Sequence, residues 1–133
     1  MYKLIRIEEY TMTRDIELEN LDTGTRDICF DDSILNDDIN FEFMEIGKEY
    51  DCKILLFGIL TTNKGEDVVE CVINKEVKIG NYNFLEVKVN NDIYYLSKAE
   101  AVQEGINDKV FLYDVGRKNI LQVNDIIHHD LLE

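Results

Sequence analysis

Proline is absent from this chain, serine occurs only at Ser33 and Ser97, and basic residues are half as frequent as acidic ones. Each shortage excludes something. With no proline-rich hinge, no internal repeat and no low-complexity tract, nothing divides the 133 residues. They are expected to form one domain, 1–133, large enough to bury a single core. Long apolar runs are missing too. The longest, Ile54 to Leu60, is too short to span a bilayer, and Met1-Tyr2-Lys3-Leu4-Ile5-Arg6 has no apolar signal-peptide core. No membrane or export route is expected.

Ser97 reads as a helix cap, and Ser33 has no histidine near it in sequence, so a Ser-His-Asp centre would have to recruit His128 or His129 from the far C-terminus. No G-x-S-x-G context supports one. Gly80 and Gly116 are isolated turn glycines, not parts of a phosphate-cradling loop. The cysteines, Cys29, Cys52 and Cys71, are odd in number, widely spaced and set in strand-like patterns. Without a C-x-x-C spacing they read as reduced, buried small hydrophobes, and cytoplasm is the expected compartment. His128 and His129, with Asp125 and Glu133 four residues to either side of His129, could share a metal-binding helix face. No third strong ligand is specified, so they read as polar residues on an exposed terminal helix. The expectation is no metal, no cofactor and no catalytic residue.

What the chain has is acid. There are 28 Asp+Glu against 14 Lys+Arg, for a net charge of −14. The excess is local, since nine acids and only Lys48 fall between Asp27 and Asp51. Such a field repels nucleic-acid backbones and anionic membranes and attracts cations and basic protein surfaces. Within it, Asp31 to Glu42 has the length and end residues of a calcium loop. Leu35 and Asn36 stand where a ligand and the turn glycine belong, so it is not an EF-hand.

Period-two alternation dominates the rest. Ile16/Leu18 and Ile28/Phe30, bridged by Leu21-Asp22-Thr23-Gly24-Thr25, predict a hairpin. Phe41, Phe43 and Ile46 suggest a further alternating apolar face. Tyr50, Cys52, Ile54 and Leu56 predict the strongest strand, turning apolar on both faces through Phe57 and Ile59 and bending at Gly58. Strands follow over Val69–Ile79, Leu85–Val89, Ile93–Tyr95, Val110–Val115 and Ile120–Val123, with a turn at Gly116-Arg117-Lys118-Asn119. Ser97-Lys98-Ala99-Glu100 is a capping box opening a short helix that Gly105 closes, and Asn124 or Asp125 would cap a second, terminal helix. The fold class is therefore mainly β (β-rich α+β). It is an OB-like or SH3-like small barrel over about residues 47–124, with an N-terminal β-hairpin lobe (1–46) and two short helices. In the OB order the helix would sit between the third and fourth barrel strands. An SH3-like barrel or an open α+β sheet would give nearly the same string.

These features predict a non-catalytic interaction protein that docks a basic protein partner through its acidic face, as an immunity protein, an inhibitor or a nucleic-acid mimic would. Asp31, Asp32, Asp37 and Asp38 are the expected contacts, with Phe41 or Phe43 as apolar anchor. The alternative is an OB-like module binding single-stranded nucleic acid or oligosaccharide on a face around Tyr82, Phe84 and Tyr94. Basic residues are too thinly spread for tight phosphate binding, so nucleic acid is the less favoured partner.

Overall fold

A computed structural model describes all residues, Met1–Glu133. Ten strands follow in order: β1 (Tyr2–Glu9), β2 (Arg14–Asn20), β3 (Arg26–Asp31), β4 (Glu49–Tyr50), β5 (Cys52–Thr61), β6 (Val68–Ile79), β7 (Tyr82–Val89), β8 (Asp92–Ser97), β9 (Val110–Val123) and β10 (Ile126–Ile127). One α-helix, α1 (Lys98–Gln103), and 3-10 turns at Ser33–Leu35 and His129–Leu132 complete the chain. No helix is long and apolar enough to cross a membrane.

Strands β5, β8, β7, β6 and β9 close a ring, and the protein is mostly β around this small barrel. All neighbours in the ring are antiparallel except β5 and β8, which meet in parallel at Leu55 and Tyr95. The helix lies between the fourth and fifth barrel strands, not the third and fourth. Counted from β6, however, the ring has the cyclic order of an OB barrel, and β5 fills the place of the last strand although it comes first in the chain.

Sequence explains the turns. Gly80, Asn90 and Asn124 each open a two-residue hairpin link with φ of 60°, 55° and 52°, the left-handed region that Gly and Asn tolerate. Gly58 is required for a different reason. At this bulge β5 and β9 slip register, and a Cβ on Gly58 would lie 1.9 Å from the Asp114 carbonyl oxygen. The Ser97 hydroxyl caps α1 by accepting the Glu100 N–H at 3.4 Å, while Glu100 makes no reciprocal side-chain bond.

The N-terminal strands β4, β1, β2 and β3 form an antiparallel sheet joined to the barrel where Phe30 of β3 meets Asn119 of β9. One apolar cluster runs through both parts, from Leu4, Ile16, Leu18 and Phe41 to Ile54, Leu56, Val87 and Tyr113. Each such side chain contributes about 1.5–3 kcal/mol on burial. A smaller cluster of Ile79, Phe84, Tyr95 and Leu121 lies apart from it and is packed by Ile127 and Leu131 of the C-terminal segment.

Four further expectations are corrected. Residues 41–48 form irregular turns, with Phe41 and Met44 buried but Phe43 and Ile46 exposed, because this segment is fastened near the start of β1 by backbone bonds at Leu4 alone and forms no strand there. Phe57 and Ile59, whose place in an apolar run predicts a strand end buried on both sides, are exposed on the outer barrel face. No turn forms at Gly116–Asn119, because Arg117, Lys118 and Asn119 pair with Phe57, Leu56 and Leu55, and this pairing outweighs local turn preference. The terminal helix is instead the short strand β10, paired with β9, followed by a single 3-10 turn.

Candidate functional site

The acidic segment divides into an inner and an outer set of carboxylates. Asp27, on β3, points into the protein, accepting the Tyr94 hydroxyl at 2.7 Å and the Lys118 ammonium. Burial, then the bond to Asp27, pushes the Tyr94 phenol far above its ordinary range, so it stays a donor. Asp31 is completely buried, where Arg14 Nε donates to its Oδ2 at 2.7 Å and the Ser33 N–H to its Oδ1 at 2.9 Å. Arg14 Nη2 also donates to the Phe41 carbonyl at 2.6 Å, and the Ser33 hydroxyl accepts the Phe41 N–H at 2.9 Å. One buried ion pair thus locks both ends of the loop between Asp32 and Asn40. Inside the loop, Asn36 Oδ1 accepts the N–H groups of Asp38 and Ile39.

This arrangement removes two of the expected contact residues. Asp31 is spent on Arg14, and the Phe41 ring is core, so neither can meet a partner. Asp32 is half-committed, its Oδ1 lying 2.6 Å from His128 Nε2. Asp37, Asp38 and Phe43 are exposed, and with them Glu42, Glu45, Ile46 and Glu49. Phe43 is 44% exposed and Ile46 60%, high values for apolar side chains on an ordered segment. The Phe43 ring leans edge-on against Tyr50, whose hydroxyl accepts the Glu45 N–H at 2.8 Å. Backbone bonds from Leu4 N–H to Lys48 and from Gly47 N–H to Leu4 fasten the following residues to β1. Ile46 and the later glutamates were missed as contacts because the alternation around them imitates a strand with an inner face.

The alternative ligand face is dispersed. Tyr82 is exposed, but Phe84 is buried in the outer cluster beside Leu131, and Tyr94 is buried in the main core with its hydroxyl on Asp27. Aromatic surface occurs instead at Phe57 and the partly exposed Phe30, with the Arg117 guanidinium 5.7 and 4.5 Å from their ring centroids.

His128, His129 and Asp130 offer ligand atoms within 4.8 Å of one another. The geometry suits capping better than ligation. His128 Nδ1 accepts the Asp130 N–H at 3.1 Å and its Nε2 faces Asp32, so both ring nitrogens are engaged. The two imidazoles are stacked 4.4 Å apart at 24°, which keeps their in-plane lone pairs from converging.

A cleft that the residue pattern did not signal opens at the end of the barrel near where β6 leaves β7. Their last pair is Val72 with Lys88, beyond which Val68–Val72 pair with β9. The cleft, of about 340 Å³, is lined from all five barrel strands and by Thr25, with Leu56, Tyr94 and Asp92 buried and Glu66 and Asp67 exposed. Asp92 Oδ1 accepts from Asn20 Nδ2 at 3.2 Å and the Thr23 hydroxyl at 2.6 Å, while its Oδ2 accepts only the Thr25 hydroxyl, at 2.7 Å.

No family model, curated protein or solved structure matches this chain.

Proposed function

We propose that this chain is a non-catalytic, cytoplasmic interaction protein of the immunity or inhibitor type, docking a basic protein through the segment Asn36–Glu49. The observation that carries the reading is the mixture on that segment. Phe43 and Ile46 stand exposed among Asp37, Asp38, Glu42, Glu45 and Glu49. Protein interfaces combine apolar anchors with a charged rim, and the rim steers association while the anchors slow release. A backbone tethered through Arg14, Asp31 and Leu4 lowers the ordering cost of binding. Three free, buried cysteines suit a reducing compartment. The nucleic-acid or oligosaccharide module is the weaker reading, since of Tyr82, Phe84 and Tyr94 only Tyr82 is exposed.

The test is capture from host lysate on wild-type bait, on Asp37→Asn/Asp38→Asn/Glu42→Gln bait and on Phe43→Ala bait. Support would be a basic protein that wild type retains, high salt releases and both variants lose. For the purified pair, the charge variant should slow association about tenfold or more at low salt, and Phe43→Ala should mainly speed dissociation. Retention of the same proteins by all baits, or retention of nucleic acid in their place, would overturn the reading.

A further inference from the structure

We propose that the cleft at the barrel end is a binding site for an alkylammonium group, with Asp92 as its receptor. Three independent features converge there. Asp92 is over nine-tenths buried, and no lysine, arginine or histidine lies within ion-pairing distance of it. Its three partners are neutral donors, so the charge is held in place but not neutralised. A carboxylate offers about two acceptor positions on each oxygen. Oδ1 has filled both of its positions with Asn20 and Thr23, whereas Oδ2 has one bond, to Thr25, and one position left.

The surroundings define what can fill it. Lys118 also lines the cleft, but its ammonium is committed to Asp27 and lies 5.5 Å from the centre of the Tyr94 ring. It therefore does not serve Asp92. Walls of Leu56, Val69, Val89 and Val115 suit methylene groups, and the volume suits a small molecule or one long side chain. Glu66 and Asp67 at the rim add two exposed negative charges that favour approach of a cation. A buried carboxylate is an expensive arrangement unless something compensates its charge. An ammonium on an aliphatic stem supplies a charge-assisted donor and an apolar body together.

The site is remote in sequence from Asn36–Glu49 and does not depend on the docking reading. The experiment titrates the full chain with n-butylammonium and, separately, with n-butanol, following amide shifts of Asp92, Tyr94 and Val69 by NMR. Saturable shifts are expected with the amine and none with the alcohol. Asp92→Asn, which keeps an acceptor for the threonines, should weaken amine binding about tenfold or more. Val69→Phe, which fills the cleft without altering charge, should abolish it. Glu8→Gln/Glu9→Gln removes two exposed charges elsewhere and should change affinity less than twofold, about the scale expected of screened surface charge. Spermidine and a blocked lysine peptide then separate the sources. Tighter binding of the polyamine assigns a free amine, and tighter binding of the peptide assigns a lysine side chain of a protein. Equal shifts with butanol, unaltered binding in folded Asp92→Asn and Val69→Phe proteins, or equal loss on Glu8→Gln/Glu9→Gln would each overturn the proposal.

Discussion

Removing the charge of Asp31 should unsettle the whole protein, because its partner cannot leave. Arg14 and Asp31 have side chains 4% and 0% exposed and meet at 2.7 Å. In Asp31→Asn the amide oxygen can still serve the Ser33 N–H, but its NH2 then faces the Arg14 Nε–H, so that hydrogen bond is lost with the charge and a guanidinium is stranded away from water. Breaking one side of such a pair costs about 3–5 kcal/mol. Arg14→Met costs a similar amount and also leaves the Phe41 carbonyl without its donor, a further penalty of about 1–3 kcal/mol. The double variant removes both charges together, so its loss should fall well short of the sum, with a coupling of about 2–3 kcal/mol. Urea unfolding followed by circular dichroism would read these values. A loss of 4 kcal/mol lowers the midpoint by roughly 2 M for a domain of this size. Amide exchange supplies a local readout, since in Arg14→Met the amides from Asn36 to Phe41 should exchange faster while those of β5 and β9 change less. Single and double losses that add within about 0.5 kcal/mol would refute the claim that this pair clamps the loop.

Gly58→Ala drives a methyl into the Asp114 carbonyl and should cost about 3–4 kcal/mol by thermal or urea unfolding, with the loss centred on the β5–β9 bulge. At Gly80, φ is +60° and a Cβ would lie 2.3 Å from the Leu131 carbonyl, so Gly80→Ala should lift the C-terminal segment, speed exchange of the Asn81 and His128 amides and increase dye binding at Phe84 and Leu121, with the barrel still folded. Burial pushes the Cys52 and Cys71 thiols and the Tyr113 phenol up to about 12 and raises Tyr2, Tyr94 and Tyr95 further. Each of these groups is neutral in the folded state where the unfolded chain would already ionise. Stability is therefore full below about pH 9 and falls as pH climbs through 9–12. Absorbance at 295 nm should show these four tyrosines ionising only as circular dichroism reports unfolding; reversible ionisation within the folded state would contradict it.

Strand positions were legible wherever alternation coincided with a turn that needs a special residue. Ile79-Gly80-Asn81 and Val89-Asn90-Asn91 combine both signals, and the β6–β7–β8 meander follows from them. The Ser97 cap and the bend at Gly58 were legible for the same reason, since each depends on one residue's local chemistry. The charge of the acidic segment could also be read directly. Its division could not. Asp31 and Asp37 look alike in sequence, yet one is sealed behind Arg14, seventeen residues away, and the other faces water.

Amino-acid order alone therefore determined a mainly β chain with a concentrated negative charge, because periodicity, turn chemistry and composition act over a few residues. Tertiary structure decided which carboxylates are surface and which are ligands of the fold, whether Phe41 or Phe43 is the free ring, and that Asp92 borders a cleft without a countercharge. Those outcomes depend on pairings between distant strands, and a one-residue change of register reverses which side chain meets water.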